Sequence, residues 1–156
     1  MTRYLILSFA LACAICVPTA QTQTKDNMDN LAAGQKYMAE NAKKPGIKTT
    51  KSGIQYEVIK SGHGASPKAS STVLCNYEGS LIDGTVFDSS YKRGEPISFA
   101  LNQVIPGWTE ILQLMKEGDK WRVTIPSQLA YGAQGAPGAI PPNATLIFVI
   151  ELIKVQ

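Results

Sequence analysis

The sequence predicts an α+β domain in which a twisted antiparallel β-sheet wraps around one short α-helix, preceded by an N-terminal α-helical arm. Several short stretches alternate apolar and polar residues and are separated by turn signals, as antiparallel strands are. One short stretch with helical spacing lies between two of them, and no βαβ unit is found. With 156 residues, 44% of them hydrophobic, the chain is long enough for one domain with its own core.

Residues 1–20 have the pattern of a signal peptide. Arg3 is followed by an almost wholly apolar run to Val17 and then by small residues to Ala20. The apolar run is shorter than a transmembrane helix usually needs, so we interpret it as a signal that directs export. Cys13 and Cys16 leave a second interpretation open, in which a lipid-modified cysteine anchors the protein.

Residues 21–46 are predicted to form a short polar leader and a helical arm. The helix is expected over residues 26–44, and Pro45 with Gly46 ends it. Its apolar residues need a partner, which is either the following domain or a second copy of the chain, giving a homodimer through this helix. They fall on one stripe: Met28, Leu31, Ala32, Met38, Ala39 and Ala42.

Residues 47–156 contain the predicted strands. Ile54, Tyr56 and Val58 alternate with polar residues, as on a half-buried strand. A second strand covers residues 73–77, and Asp83-Gly84 is a strong hairpin signal. Shorter strands are expected over residues 97–101 and 121–125. The run 145–155 is apolar on both faces, which predicts a central strand.

The short helix of this domain is expected to start at Pro106, which suits a first turn because its missing N–H would be unpaired there. Ile105, which precedes the proline, should be extended, with its N–H held at the positive end of the helix. Gly118 is expected to end the helix. Its apolar face consists of Trp108, Ile111, Leu112 and Met115.

A long loop over residues 127–143 is stiffened by glycine and proline, and a loop of this length in a compact domain is usually functional. Gly132, Gly135 and Gly138 superficially resemble a phosphate-binding loop, but no βαβ strand precedes them and Pro137 interrupts them. The sequence Asn143-Ala144-Thr145 fits a glycosylation sequon. We interpret it as a turn into the last strand.

Composition excludes several classes of function. The formal net charge is +3, and no basic run is interleaved with aromatic residues, so nucleic acid is not an expected partner. One histidine, His63, and the single cysteine left after signal removal, Cys75, cannot form a zinc site or an intramolecular disulfide. Cys75 alternates with Val73 and Tyr77 and is expected to be a small buried hydrophobe. We predict no metal and no cofactor.

Five motifs give the chain a family resemblance over about residues 47–156. In order and spacing they resemble the FKBP-type peptidyl-prolyl cis-trans isomerases. The arm, with residues 39–46, resembles the exported bacterial branch typified by the macrophage infectivity potentiator, which usually carries a longer N-terminal dimerisation region. The motifs are residues 76–79, 83–90, 104–108, 129–132 and 140–148.

The resemblance implies acceleration of X–Pro isomerisation during the folding of exported proteins, by non-covalent stabilisation of a twisted amide in an apolar pocket. It also implies the bacterial periplasm as location, with an outer-membrane lipoprotein or a secreted protein as alternatives. The partners would be proline-containing segments of unfolded or partly folded proteins, with macrolides as inhibitors. The residues implied to line the pocket are Tyr77, Phe87, Phe99, Val104, Ile105, Trp108, Tyr131 and Phe148.

Individual roles also follow from the resemblance. Trp108 would be the pocket floor, and the Ile105 N–H and the Tyr131 hydroxyl would bond the peptide carbonyls. Asp88 would lie near the twisting carbonyl, held by Arg93 or by tyrosine hydroxyls. Arg93, Ile97 and Ile140 complete the expected substrate contacts.

The rim departs from the family pattern, because Ile97 stands where many members have an aromatic residue and Ala136 and Ala139 are small. The rim should therefore accept larger residues before proline and bind macrolides less tightly. The sequence leaves two other functions to consider. One is a chaperone or adhesion module that binds prolyl segments without turnover, with the 26–44 helix as a holding arm. The other is a small-ligand binding protein, which would need a lid that the stiff loop does not suggest.

Overall fold

The computed structural model describes residues 20–156, with side chains described from residue 25 onward. The predicted signal peptide therefore lies outside the described residues apart from Ala20, and it remains a prediction. Within the described range, no helix is both long and apolar enough to cross a membrane. The elements are α1 Ala20–Asn41, β1 Lys48–Thr49, β2 Gln55–Lys60, β3 Thr72–Leu81, β4 Val86–Ser89, α2 Ser90–Arg93, β5 Ile97–Ala100, α3 Pro106–Leu114, β6 Lys120–Ile125 and β7 Leu146–Val155.

The strands form one antiparallel sheet in the order β1-β2-β6-β7-β3-β4, with β5 paired to β3. β7 pairs with β6 on one side and with β3 on the other, so the prediction of a central last strand is confirmed. The predicted hairpin is also confirmed. The Leu81 N–H donates to the Thr85 carbonyl at 2.9 Å, and Gly84 has the positive φ of 89° that this turn needs.

α3 lies against the concave face of the sheet and provides the centre of the core. Ile111, Leu112 and Met115 are completely buried, and Trp108 is 4% exposed. The helix ends at Leu114, because Met115 has an extended backbone, and Gly118 lies in the turn beyond it. The expectation that Gly118 ends the helix is therefore wrong. Its N–H donates to the Leu152 carbonyl at 2.8 Å, which ties that turn to the sheet.

α1 packs on the domain through a different face from the one its apolar stripe predicts. The helix begins at Ala20 rather than at Asp26, so the predicted polar leader is helical. Gly34 and Asn41 are buried on the domain side, whereas Met28 is 71% and Leu31 38% exposed. Of the stripe, only Met38 is half-buried. The stripe thus packs on the following domain only at one edge, where Leu31 and Met38 line a pocket against it, while amide and glycine contacts occupy the rest of the interface.

Candidate functional site

A cavity of about 440 Å³ opens between α3, the concave face of the sheet and the 127–143 loop. Nine of its ten lining residues are ones that the sequence predicted for a site. The exception is Gln103, which is exposed on the single 3₁₀ turn before Val104 and carries no pattern of its own. The cavity is lined by Tyr77, Phe87, Asp88, Phe99, Gln103, Val104, Ile105, Trp108, Tyr131 and Phe148.

Trp108 lies at the centre of an aromatic cluster. Its ring meets those of Tyr77 and Phe99 edge to face, with centroids 5.2 Å apart in both pairs. The Phe148 ring meets it in the same way at 5.4 Å. Edge-to-face pairs are the favoured arrangement of aromatic rings. Trp108 can lie there because it is in the first turn of α3, two residues after Pro106.

Gly79 makes room for two of these rings. Phe87 and Phe148 pack edge to face, 5.7 Å between centroids, over the β3 backbone. A Cβ atom at Gly79 would lie 2.6 Å from Phe87 Cζ and 2.8 Å from Phe148 Cε1. Both distances are shorter than van der Waals contact, so a side chain here would displace one wall of the cavity.

Ile105 has the extended backbone expected before a proline, with φ −57° and ψ 147°. Its carbonyl accepts the N–H groups of Trp108 at 2.9 Å and Thr109 at 3.2 Å. The Thr109 hydroxyl donates to the Leu101 carbonyl at 2.6 Å, which fixes the preceding turn against α3. The Ile105 N–H, for which no acceptor is found in the described part of the chain, is thus a positioned donor at the cavity edge.

Asp88, Tyr77 and Arg93 form a polar group at one wall. The Asp88 carboxylate accepts hydrogen bonds from the Tyr77 hydroxyl and from Arg93, and Arg93 Nη2 donates to the Tyr77 hydroxyl at 2.9 Å. Arg93 therefore supports the wall without lining the cavity. The family resemblance implied that Arg93 or tyrosine hydroxyls hold Asp88, and in the structure both Arg93 and the Tyr77 hydroxyl bond it.

The charges of this group follow from its contacts. Partial burial raises the pKa of Asp88, but hydrogen bonds from Tyr77 and Arg93, with the positive charge of Arg93, outweigh burial and lower it. Burial, followed by the hydrogen bond to Asp88, raises the pKa of Tyr77. The carboxylate is therefore ionised and the phenol neutral at neutral pH.

Ser90 attaches this wall to the sheet, although no sequence signal distinguished it from Ser89. It is completely buried, and its hydroxyl accepts the Tyr77 N–H at 2.8 Å. The same hydroxyl donates toward Asn76 Oδ1 at 3.1 Å. Ser89 caps α2 by accepting the Lys92 N–H at 3.3 Å. These bonds fix the Asp88–Arg93 segment on β3.

Tyr131 lies at the rim, 43% exposed, on the long loop. The loop is held by a bond from the Gly132 N–H to the Ser127 carbonyl at 2.8 Å and by a bridge between Ala136 and Ile140. Ile140 is 6% exposed and belongs to the core. Neither Ile140 nor Ile97, which pairs with Cys75 in the sheet, is among the cavity-lining residues.

Two further groups bear on the chemistry. Burial raises the pKa of the Cys75 thiol to about 12, so this cysteine is not a nucleophile at neutral pH. Within residues 20–156, no cluster of three histidine, cysteine or acidic side chains could hold a metal ion. The cavity therefore offers aromatic rings, the Ile105 N–H, the hydroxyls of Tyr77 and Tyr131, the Gln103 side chain and one fixed carboxylate.

These features define an apolar, aromatic cavity with polar groups at its edge, a shape and chemistry complementary to an apolar ring flanked by carbonyl groups. Residues 64–153 match the family described as FKBP-type peptidyl-prolyl cis-trans isomerase. Residues 14–58 match the domain described as amino terminal to FKBP-type peptidyl-prolyl isomerase. The chain belongs to the FKBP-type peptidyl-prolyl cis-trans isomerase family.

Three individual proteins illustrate the similarity to this family. The FKBP-type peptidyl-prolyl cis-trans isomerase FkpA of Aeromonas hydrophila is 55% identical over 85% of this chain and 49% of its own length. The Outer membrane protein MIP of Legionella longbeachae is 52% identical over 82% of this chain and 55% of its own. The crystal structure of FkpA from Escherichia coli superposes with a TM-score of 0.84 at 51% identity, covering 87% of this chain and 63% of that one. The chain thus spans about half the length of the curated relatives it matches.

Proposed function

We propose that this protein is a peptidyl-prolyl cis-trans isomerase that accelerates X–Pro isomerisation in unfolded or partly folded exported proteins. The observation that carries the proposal is the cavity of edge-to-face aromatic rings with Trp108 as its floor, beside the Ile105 N–H and the ionised Asp88. Such a cavity matches a proline ring with a carbonyl on either side.

The mechanism is differential binding of a twisted amide. Rotation about an X–Pro bond is slow because the partial double bond imposes a barrier of about 18–20 kcal/mol. The twisted amide has lost its resonance, so its carbonyl is less polar than the planar one and is better accommodated by an apolar wall. In this proposal the proline ring lies on Trp108, and the Ile105 N–H and the Tyr131 hydroxyl hold the flanking carbonyls.

Asp88 acts through its charge in this proposal. The carboxylate is held by Tyr77 and Arg93 at the cavity wall, so its field on the rotating carbonyl is fixed before substrate binds. No covalent bond forms or breaks, and the cis and trans isomers exchange with no change in protonation. Phe87, Phe99, Val104 and Phe148 exclude water from the bond that rotates.

The test is cis-to-trans isomerisation of an X–Pro tetrapeptide by wild type, Trp108→Leu and Trp121→Leu. Trp121 is a matched control, because it is 7% exposed, stacks on Tyr56 at 4.6 Å and lies outside the cavity. We expect Trp108→Leu to lower kcat/KM by about tenfold or more, a barrier change of about 1.4 kcal/mol, and Trp121→Leu to keep wild-type turnover per folded molecule. Equal losses in the two variants would contradict the assignment.

The domain organisation belongs to the same proposal. We assign residues 1–20 to a removed signal peptide, 21–46 to the helical arm and 47–156 to the isomerase domain. Export to a bacterial periplasm is supported by the apolar N-terminal run. A relative named as an outer membrane protein supports an exported location but favours the lipoprotein alternative. The N-terminal sequence and mass of the protein from a periplasmic fraction would decide between cleavage and lipid attachment at Cys13 or Cys16.

A homodimer through the arm is a further part of the proposal. It rests on the part of the stripe that the domain leaves uncovered, where Met28 is 71% exposed and Ala32 and Ala39 are exposed beside it. Sedimentation of wild type against Met28→Lys/Ala39→Lys tests it, with Lys36→Ala as a control on the same helix. A wild type that is monomeric at all concentrations would instead favour the chaperone reading, in which the stripe holds an unfolded chain.

The cavity is also proposed to bind macrolide inhibitors of the family. Ala136 and Ala139 leave the rim small, so we expect weaker binding than an aromatic rim would allow. Calorimetric titration of wild type and Trp108→Leu would measure this.

A further inference from the structure

The arm meets the domain at the sequon, residues 143–145. The Asn143 side chain donates from Nδ2 to the Asn27 carbonyl of α1 at 3.1 Å. In the opposite direction, Asn30 donates from Nδ2 to the Pro142 carbonyl at 3.0 Å. Each partner thus gives one amide to a backbone carbonyl of the other, which specifies the position of the helix along the loop.

Gly34 allows α1 to approach the domain closely at this contact. It is buried in the middle of α1, where glycine destabilises a helix. A Cβ atom there would lie 3.0 Å from Thr145 Cβ and still closer to Thr145 Oγ1. Thr145 is itself 5% exposed. The glycine is therefore explained by the close approach of α1 to Thr145.

The same asparagine also holds the loop that carries Tyr131. Asn143 is the only residue other than glycine with positive φ in the described part of the chain, at 57°. In this conformation its backbone N–H donates to the Gly132 carbonyl at 2.8 Å. Gly132 directly follows Tyr131, so one residue bonds the arm through its side chain and the Tyr131 segment through its backbone.

We propose that Asn143 is a positioning residue that couples docking of the N-terminal arm to the placement of Tyr131 at the cavity rim. While α1 is docked, Asn143 is held at both ends, and the Tyr131 hydroxyl is kept where a bound peptide carbonyl lies. When α1 leaves, Asn143 loses one anchor and the loop samples more positions. The catalytic consequence rests on the proposed function, whereas the coupling itself does not.

Amide hydrogen exchange measured by NMR on the full mature chain tests the coupling directly. In Gly34→Ala the new methyl group meets Thr145, so α1 undocks although its intrinsic helix propensity rises. We expect the Asn143 and Ile140 amides to exchange about tenfold faster than in wild type. Lys36→Ala, on the exposed side of the same helix, is the control and should leave both rates unchanged. Undocking of α1 with unchanged exchange at Asn143 would overturn the coupling, and so would an α1 that stays docked in Gly34→Ala.

A kinetic double-mutant cycle tests the role of Tyr131. Asn143→Gly keeps the left-handed backbone but removes the side-chain bond to Asn27. We expect Asn143→Gly and Gly34→Ala each to lower kcat/KM by about threefold, and neither to lower it further in the Tyr131→Phe background. Equal losses in both backgrounds would overturn the positioning role. A wild type without turnover whose Asn143 exchange still follows the arm would refute the proposed function and leave the coupling supported.

Discussion

The cavity and the docked arm hold their residues by opposite kinds of contact. In the cavity, Trp108 contacts three aromatic rings edge to face and is almost completely buried. At the arm, asparagine amides and one glycine face the domain, while Met28 faces outward. The apolar face of a helix is usually its packed face, but here only one edge of that face, with Leu31 and Met38, meets the domain. An apolar stripe on a helix predicts that another surface covers it, but it does not identify that surface.

The two kinds of contact also differ in strength. A buried hydrogen bond adds a net of about 0.5–1.5 kcal/mol to stability, whereas removing a large aromatic side chain from a core costs about 3–5 kcal/mol. A few directional bonds specify where α1 docks but hold it weakly. We therefore expect the arm to detach under conditions in which the domain remains folded.

The largest effect is expected from Gly79→Ala. The added methyl group would contact Phe87 and Phe148, which destabilises a packed site by about 1–3 kcal/mol and displaces the cavity wall. Turnover of an X–Pro peptide should fall by about tenfold or more. Lys60→Ala is the control, since that side chain is exposed on β2 and lies outside the cavity. Wild-type kcat/KM in folded Gly79→Ala would show that the rings tolerate displacement.

Asp88→Asn should have a smaller effect, because the change keeps the shape of the wall and removes only its charge. We expect kcat/KM to fall by about three- to tenfold. A complete loss in a folded variant would contradict a purely electrostatic role.

The pH dependence of stability provides a second readout for the same residue. The pKa of Asp88 is lower in the folded state than its ordinary value of 3.8, so its contribution is present above that value and is lost as pH falls through the folded-state pKa. The ion pair is about 40% exposed, which keeps the contribution small. The urea midpoints of wild type and Asp88→Asn should stay apart above pH 3.8 and converge as the pH falls through the lowered folded-state pKa.

Asn41→Ala tests how strongly the arm is held on the domain. Asn41 donates from Nδ2 to Gln55 Oε1 at 2.9 Å, and both residues are almost completely buried. The substitution leaves a buried acceptor without its donor, a cost of about 1–3 kcal/mol. We expect faster proteolysis within α1 and an unchanged thermal midpoint of the domain, with Glu40→Ala as the exposed control. A drop in the midpoint equal to the change in proteolysis would mean that arm and domain unfold together.

The smallest effect on the folding of one chain is expected from Met28→Gln. The side chain is 71% exposed, so its replacement should change unfolding free energy by less than about 0.5 kcal/mol. Any larger loss of stability that depends on protein concentration would reveal a partner on the stripe, because mass action ties such stability to assembly.

Sequence reasoning predicted the sheet, the hairpin and most of the cavity, because those residues repeat at the periods of their elements or stand in motifs of fixed spacing. It misplaced the packed face of α1, since the helix docks through Asn27 and Asn30, which look like solvent-facing residues in a polar segment. The role of Gly34 could not be predicted, because the residue that requires a glycine there is Thr145, more than a hundred residues away in the sequence. Ser90 and Gln103 likewise act through tertiary contacts that no local pattern encodes.

The central position of β7 has a consequence for biosynthesis. β7 joins β1, β2 and β6 to β3, β4 and β5, and it is the last of the seven strands to be made. Until it emerges, the chain has two half-sheets with apolar edges and no shared core, and pairing across such long sequence separations is slow. Nascent chains of this protein therefore expose unpaired strand edges, which favour aggregation, until β7 is made. The order of synthesis thus leaves the joining of the two half-sheets to the end.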